Sequence, residues 1–322
     1  MRTFVLGLAA ASLFTLSTLG ATPSVEISNS FAIDPAQQGW KTFGNSNLFN
    51  WNSTNSCLDV TWDSSKSNSY FYLPIGTVLT RKDDFAMEFD LTINDLVGSF
   101  ELAFGFLNLG DATVPGFLRG TGSGPINLVE VDYFPPSDSW PGGIAPTLAA
   151  TNLWRTDFIS SMTNGWQDYT LPLGSPLHVV LSYTGATSTA VTTVFVNSNP
   201  VVSIPPLTID TKFTDFRCDA FAIECYNDSP YGGSLLAHGS VRNVKLTVPV
   251  RLDIKGQLQP AGWTVTFDSL VDWNYVLQRS SDLVTWIDVP TTIERTGATC
   301  TLQDHDAPTS ARFYRVRAQR PN

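Results

Sequence analysis

Charged side chains are scarce in this sequence, at 15% of 322 residues, and Lys and Arg together number only 19. The formal net charge is −10, and most of the acidic excess lies before residue 240. An acidic chain with no basic stripe lacks the surface that attracts nucleic acids and anionic membranes. We therefore expect no nucleic acid partner, and acidic polysaccharides are mildly disfavoured.

Long apolar runs are also lacking, except at the N-terminus. Arg2 precedes an apolar stretch at 4–16, and small residues follow at 17–21, which is the pattern of a secretory signal peptide. The apolar stretch is too short to span a membrane. We predict a signal peptide at 1–21, no membrane insertion, and a secreted or cell-surface protein, either extracellular or periplasmic.

Histidine is rare, and no histidine belongs to a catalytic motif. His178, His238 and His305 are isolated in the sequence. A catalytic histidine needs a nucleophile or an orienting carboxylate within reach, and no local motif supplies one. The sequence thus gives no indication of nucleophile–base catalysis.

Cysteine is rare as well, and its spacing fits neither a zinc ribbon nor a redox motif. A disulfide is expected in an exported protein. Cys218 and Cys225 lie seven positions apart, so in one strand they would face opposite sides. We predict a bridge from Cys57 to one of them, and we expect Cys300 to be a small buried residue in another domain.

The chain does contain many short alternating segments separated by Gly, Pro, Asn, Ser and Asp. The clearest has apolar residues at every second position from Phe85 to Ile93. Other strands are predicted at 58–62, 69–73, 100–107, 128–134, 152–158, 166–171, 177–183, 190–196, 216–226 and 239–248. No segment predicts a convincing helix. The fold class is therefore all-β, with a two-sheet jelly-roll sandwich over 22–247.

A second series of segments begins near residue 251. Segments at 262–267, 274–279, 286–289, 298–302 and 312–317 predict a small immunoglobulin-like β-sandwich over 251–318. The block from Tyr275 to Trp286, with Phe313–Arg317, resembles the fibronectin type III-like module at the C-terminus of many secreted bacterial proteins. The resemblance implies a spacer or adhesive module that is not catalytic.

The larger domain resembles the concanavalin A-like lectin and glucanase jelly rolls, most sharply at Val129-Glu-Val-Asp-Tyr-Phe-Pro135. In legume-type lectins such a strand helps to bind a calcium ion and a transition metal. The resemblance implies that Glu130 and Asp132 would supply carboxylates and Phe134 its backbone carbonyl.

The loop after this strand departs from the lectin pattern. Pro136 stands where that family has a liganding Asn, and Pro141 where it has an Asp. Asp138 is the remaining candidate ligand, whereas calcium needs about six to eight oxygens. We expect no cofactor, with calcium held by Glu130, Asp132 and Asp138 as the alternative.

The glucanase branch of the same resemblance implies three carboxylates in the pattern Glu-x-Asp-x-(x)-Glu. Here Glu130 and Asp132 are followed by two aromatic residues and a proline, and the similar pair in Glu88-Phe-Asp90 is also incomplete. Glu224, on a different predicted strand, can still meet Glu130 in space. If the protein is an enzyme, its catalytic residues are predicted to be Glu130, Asp132 and Glu224.

Candidate ligand contacts lie on this strand and in loops. They are Glu130, Asp132, Tyr133, Trp140, Trp154, Trp166 and Tyr226. Exposed tryptophan faces stack on pyranose rings, while the alternative is that these rings plug the ends of the sandwich. The two acids either bond sugar hydroxyls or pair with Arg119, Arg155 or backbone amides.

Three functions stay open from sequence. The leading hypothesis is a secreted, non-catalytic carbohydrate-binding or adhesive protein whose partner is a glycan or polysaccharide. The second is a polysaccharide-cleaving glycoside hydrolase of the same fold, and the third is a structural surface or matrix protein. The oligomeric state is not determined by any of these patterns.

Overall fold

The computed structural model describes residues 24–117, 119, 127–137, 141–151, 156–160, 167–197, 199–210, 213, 215–228, 234–249, 254–259, 262–269, 274–290, 299–306 and 313–319. The predicted signal peptide lies outside these residues. Within them there are two 3-10 turns, Pro35–Gln38 and Ser46–Leu48, and one α-helix, α1 (Leu109–Ala112). None of the helices described has the length and apolar character needed to cross a membrane.

Strands dominate the described part of the chain. In chain order they are β1 (Ser24–Asn29), β2 (Lys41–Phe43), β3 (Phe49–Asn52), β4 (Cys57–Asp63), β5 (Ser69–Leu79), β6 (Phe85–Val97), β7 (Leu102–Leu107), β8 (Leu128–Phe134), β9 (Gly143–Thr151), β10 (Thr156–Ser160), β11 (Gln167–Asp168), β12 (Leu177–Thr184), β13 (Thr189–Val196), β14 (Asn199–Ser203), β15 (Leu207–Thr208), β16 (Cys218–Cys225), β17 (Leu236–Pro249), β18 (Lys255–Gln259), β19 (Gly262–Asp268), β20 (Asn274–Ser280), β21 (Ile287–Asp288), β22 (Thr299–Asp304) and β23 (Phe313–Gln319).

The first seventeen strands form two antiparallel sheets. Among the described residues, a nine-stranded sheet has the order β14-β13-β12-β6-β17-β4-β3, with β1 beside β17 and β15 beside β13. An eight-stranded sheet has the order β10-β9-β8-β7-β16-β5-β2, with β11 beside β9. Several neighbours, such as β6 and β17 or β7 and β16, are distant in sequence, as in the predicted jelly roll, and this all-β sandwich is the observed fold class.

The main core lies between the two sheets and follows from period-two alternation. In β6, the predicted apolar face from Phe85 to Ile93 is buried at every second position. Opposite it, β7 contributes Phe104 and Phe106, and Phe104 packs against Phe89 with ring centroids 4.8 Å apart. Burying a side chain of this size stabilises the fold by about 1.5–3 kcal/mol, so this face fixes how the sheets stack.

A second apolar layer covers the other face of the eight-stranded sheet. Its members alternate along the strands with those of the main core and are mostly small residues or tyrosines. They are Tyr70, Ala103, Leu107, Ala112, Phe117, Leu128, Ala149, Ala220, Ala222 and Tyr226. Because two of them come from the segment between β7 and β8, that segment must lie across the outer face of the sheet.

The C-terminal strands form a separate, smaller core. Within the described residues, β18-β19-β22 and β21-β20-β23 are two three-stranded sheets. Val265, Phe267, Tyr275, Leu277 and Leu302 are buried between them. This arrangement agrees with the predicted small β-sandwich, while the finer resemblance to a fibronectin type III-like module stays a prediction.

The sequence prediction was wrong about β9 and about the disulfide. The segment Gly143–Thr151 pairs with β8 although it contains a proline and several alanines, which disfavour strands in sequence. The four cysteines are free thiols, all buried. A register shift between Cys218 and Ala220 places Cys218 and Cys225 in the same core. The expectation that they face opposite sides of one strand was therefore wrong.

Candidate functional site

Three of the predicted acidic residues meet on the outer face of the eight-stranded sheet. Glu130 and Asp132 of β8 lie opposite Gly105 and Ala103 of β7. Glu224 of β16 pairs with Ala103 from the other side. The register of three strands therefore brings these carboxyl groups together, as sequence reasoning allowed for Glu224.

The small residues of β7 make room for this group. A Cβ on Gly105 would lie 2.4 Å from Glu130 Cα and 2.4 Å from Val129 O. Real side chains do not approach a backbone so closely, so only glycine fits at this position without moving β8. The gap on β7 leaves space above the sheet for side chains from elsewhere in the chain.

A covering segment, Asn108–Phe117 with Arg119, occupies that space. Asn108 caps α1 by accepting a hydrogen bond from Asp111 N, and its amide nitrogen donates to Arg217 O at 3.0 Å. Further along, Tyr70 donates its hydroxyl hydrogen to Ala112 O at 3.1 Å. These contacts hold the segment against the sheet, and they position Arg119 over the acids.

Arg119 is buried, with 7% of its surface exposed, and binds three carboxylates. Its Nη1 lies 3.0 Å from Glu101 Oε2, and its Nη2 lies 2.5 Å from Asp132 Oδ2. Nε donates to Glu130 Oε1 at 2.6 Å, and Nη2 contacts the same oxygen. The planar guanidinium thus uses its fork of donors to bridge neighbouring acids, a geometry that lysine cannot supply.

Two hydroxyl groups add contacts to Glu130 and Asp132. Tyr226 donates to Glu130 Oε2 at 3.0 Å, and its ring lies under the guanidinium with 5.7 Å between Arg119 Cζ and the ring centroid. Thr147 of β9 donates to Asp132 Oδ2 at 2.5 Å. Tyr226, predicted as a ligand contact, therefore acts as a structural partner of Glu130 in this arrangement.

The carboxyl cluster (Glu101, Glu130, Asp132 and Glu224) has more acids than Arg119 can neutralise. Desolvation by burial raises the pKa of Glu101 to about 7, although Arg119 opposes the shift. Burial likewise raises the pKa of Asp132 well above its usual range. For Glu224, burial and then the charge of Glu130 raise the pKa well above normal. Burial therefore favours the protonated forms of Glu101, Asp132 and Glu224.

The cluster is closed to solvent. Glu130, Asp132 and Glu224 are each 0% exposed, and Tyr226 is 2% exposed. A glycosidase needs its carboxyl pair to reach the substrate and water. As placed, these acids offer no atom to a glycan, and the alternative in which Glu130 and Asp132 pair with Arg119 is the one observed.

The remaining predicted contacts divide into two groups. Tyr133 faces the main core, is 3% exposed, and accepts a hydrogen bond from Leu171 N at 3.2 Å. Its prediction as a ligand contact needs correction, because alternation puts it on the opposite side of β8 from Glu130. Trp140, Trp154, Trp166 and Asp138 lie outside the described residues, and their roles stay predictions.

An open cavity of about 580 Å³ lies beside the covering segment. We call it the rim cavity; its walls include Phe43 and Gly44 at the end of β2, Ser65, Ser67 and Asn68 between β4 and β5, the stretch Ala112–Phe117, and Asn227 after β16. The volume falls in the range of ~300–1,000 Å³ typical of small-molecule sites. The rim cavity is thus large enough to hold a ligand, whereas the carboxyl cluster is not accessible to one.

No protein-family profile matches this chain, and no curated protein matches it. Among solved structures it is similar to peanut lectin with a 9mer peptide, with TM-score 0.49 and 14% identity over 70% of this chain and 98% of that one. It is also similar to basic winged bean lectin with Tn-antigen, with TM-score 0.48 and 15% identity over 71% of this chain and 100% of the lectin. An alginate lyase mutant bound to an alginate trisaccharide gives TM-score 0.43 and 12% identity over 70% and 98%.

The fold is a two-sheet jelly-roll sandwich. At these identities and TM-scores the likeness concerns the course of the strands alone, and it says nothing about which residues bind a ligand. The observations that bear on function are therefore the side chains of the carboxyl cluster and of the rim cavity.

The metal site implied by the lectin resemblance does not fit the residues present. The Arg119 guanidinium bridges Glu130 and Asp132, the two carboxylates that a calcium ion would need. Within the described residues, no group of three or more acids, histidines or cysteines is arranged to hold a metal ion. A divalent cation would have to displace a buried arginine that already contacts Glu130 Oε1 and Asp132 Oδ2.

Sequence reasoning did not single out the walls of the rim cavity. Phe43 belongs to a three-residue strand that was not predicted, and Asn68 lies in a polar turn with ordinary composition. Asn227 lies in a stretch whose composition is typical of a turn. Their proximity depends on the pairing of β2 with β5 and of β5 with β16, which no local pattern reveals.

Proposed function

We propose that this protein is a secreted, non-catalytic carbohydrate-binding protein. The observation that carries the proposal is the closure of the carboxyl cluster: Glu130, Asp132 and Glu224, the acids that a glycosidase of this fold would use, are buried, and Arg119 bridges the first two. A β-sandwich whose clustered acids are sealed in this way retains surfaces for contact, while those acids cannot act on a substrate as an acid–base pair. The rim cavity supports binding as the remaining role.

In this proposal each of the two domains, with its own core, has a separate role. The jelly-roll sandwich would hold the glycan, and the C-terminal module would separate it from a surface or a partner. Export by the predicted signal peptide at 1–21 would place the protein where extracellular glycans occur. The low proportion of charged residues suits a ligand held through hydroxyl hydrogen bonds and ring stacking rather than through ion pairs.

A glycan array and a reducing-sugar assay together test this function. We expect the mature chain to bind at least one class of glycan on the array and to release no reducing ends from a panel of glucans, uronans and galactans. The Trp140→Ala and Trp154→Ala variants then report whether those predicted rings contribute.

Two results would contradict the proposal. Turnover of any polysaccharide that is lost in Glu224→Gln would establish the hydrolase alternative, since it would mean that the covering segment opens. Absence of binding to every glycan on the array would favour a structural surface or matrix protein.

A further inference from the structure

We propose that the rim cavity is a binding site for a neutral saccharide unit, of one or two rings, presented by a glycan. This inference rests on the proposed carbohydrate-binding function and assigns it a place and a ligand class. The cavity is formed by described residues of β2, the β4–β5 turn, the covering segment and the residue after β16. It is separated from the buried carboxyl cluster by the second apolar layer, in which Phe117 packs.

The lining of the cavity is uncharged and combines a mainly apolar surface with a few polar groups. Hydroxyl and amide groups come from Ser65, Ser67, Thr113, Asn68 and Asn227, and among the described residues that line the cavity none has a titratable side chain. A uronate or sulfate entering such a site would lose hydration without gaining a cationic partner, at a substantial free-energy cost. A neutral sugar needs only hydrogen bonds of the kind these groups make.

The charge of Lys66 does not alter this conclusion. Lys66 lies between Ser65 and Ser67, but it does not line the cavity, and its Nζ is 3.6 Å from Asp63 Oδ2. Half of the Lys66 side chain is exposed, at 51%. Its charge is therefore partly compensated and screened by water.

An aromatic wall supplies the apolar contact that a pyranose requires. Phe43 is half-buried, lines the cavity, and stacks on Tyr70 with ring centroids 5.6 Å apart and an interplanar angle of 14°. Tyr70 is itself buried and anchored to Ala112 O. The stacked pair holds the Phe43 ring in one place, which reduces the entropy lost when a ligand binds.

Hydrogen bonds across the cavity walls hold the amides in position. Asn68 donates from Nδ2 to Phe117 O at 2.7 Å and accepts at Oδ1 from Asn227 N at 2.7 Å. Asn227 donates in turn from Nδ2 to Lys66 O at 2.6 Å. Asn227 Nδ2 also donates to Ser64 O at 3.3 Å. A primary amide nitrogen carries two hydrogens, so Asn68 has a further N–H of the kind that donates to sugar hydroxyls. The walls are thus formed before a ligand arrives.

The test fills the cavity with a bulky side chain at an exposed position. Ser67 lies at the cavity wall, is exposed, and contributes a backbone carbonyl to the turn. Ser67→Trp should therefore reduce affinity for neutral disaccharides such as cellobiose, maltose and lactose by at least ~tenfold, measured by titration calorimetry. Ser53→Trp is the matched control, because Ser53 is an exposed serine in the turn between β3 and β4, away from the cavity.

A second variant guards against an effect of Ser67→Trp on folding. Phe43→Leu retains apolar bulk but removes the aromatic face, and it should weaken binding of the same disaccharides while the thermal midpoint stays close to that of the parent. Unchanged affinity in both variants would overturn the cavity as the site. A preference for digalacturonate over all the neutral disaccharides would overturn the ligand class.

These outcomes separate the inference from the function it rests on. If the parent protein binds glycans and the cavity variants bind them equally well, the carbohydrate-binding function stands and the cavity assignment fails. If the parent binds no glycan on the array, both fail together.

Discussion

Arg119 determines whether the outer face of the eight-stranded sheet is open or closed. One guanidinium satisfies oxygens of Glu101, Glu130 and Asp132, and each contact is made away from solvent. Breaking a buried ion pair by removing one partner is costly because the other charge stays behind, unpaired. The residue therefore has a stabilising role that an exposed arginine would not have.

We predict that Arg119→Met lowers the free energy of unfolding by about 3–5 kcal/mol at pH 8. Methionine fills much of the same volume but leaves three carboxyl groups without a cation. The loss should be smaller at pH 5, where these acids can take up protons instead of holding unpaired charge. Urea unfolding at the two pH values measures both effects.

Arg217→Met is the matched control. Arg217 also forms an ion pair, with Asp215, but its side chain is 36% exposed. Exposed pairs contribute about 0–1 kcal/mol, so this variant should unfold close to the parent at both pH values. Equal losses for the two variants would show that Arg119 is not specially placed.

The sequence was informative about single strands and silent about which residues meet across them. Alternation correctly put Glu130 and Asp132 on one face of β8, and Arg119 was named as one possible partner. Tyr226 was predicted as a ligand contact but is a partner of Glu130. The participation of Glu101 was not predictable, because it depends on the register of β7, β8 and β16. The rim cavity was missed for the same reason.

At the scale of elements, β7 contributes residues to both faces of the eight-stranded sheet. Its large residues, Phe104 and Phe106, point into the main core, while Ala103 and Gly105 face the carboxyl cluster. The apolar run predicted a central strand correctly. The residues on its outer face are small because the covering segment fills the space above them, and this reason is visible only in the structure.

We predict that Gly105→Ala destabilises the sandwich by about 3 kcal/mol or more, because the added methyl group would overlap the backbone of β8. Chemical unfolding, or the soluble yield if the variant does not fold, measures this. Gly110→Ala is the control: a Cβ there meets only the Asn108 side chain at 3.1 Å, and alanine favours helix, so a change within about 1 kcal/mol is expected. A mild effect at Gly105 would argue against the close approach of β7 and β8.

At the scale of the whole molecule, the buried carboxyl cluster should dominate how stability depends on pH. The chain has few charged residues, and most of its ion pairs are partly exposed. Carboxyl groups with a lowered pKa change stability only at low pH. The clearest is Asp282, whose pKa is lowered to about 2 by backbone hydrogen bonds from Thr285 and Val284. Such groups contribute fully above pH 5 and change little from there to pH 8.

Between pH 5 and pH 8 the carboxyl cluster has the opposite effect, because it makes stability fall as pH rises. Burial raises the folded-state pKa of Glu101 from 4.5 to about 7, and it also raises those of Asp132 and Glu224 well above their usual values. Between the unfolded and folded pKa values the native state binds more protons than the unfolded chain, so stability is greatest below about pH 4.5 for these groups and falls as pH rises.

We therefore expect the thermal midpoint to fall by roughly 5–10 °C between pH 5 and pH 8, since each pKa unit corresponds to about 1.4 kcal/mol. Glu101→Gln keeps an acceptor for Arg119 but cannot ionise, so it should flatten the curve between pH 5 and pH 7. Differential scanning calorimetry across this range measures both proteins. A midpoint that rises with pH, or a slope that Glu101→Gln leaves unchanged, would mean that the acids beneath the covering segment are ionised and solvated, and that the outer face of the sheet is open in solution.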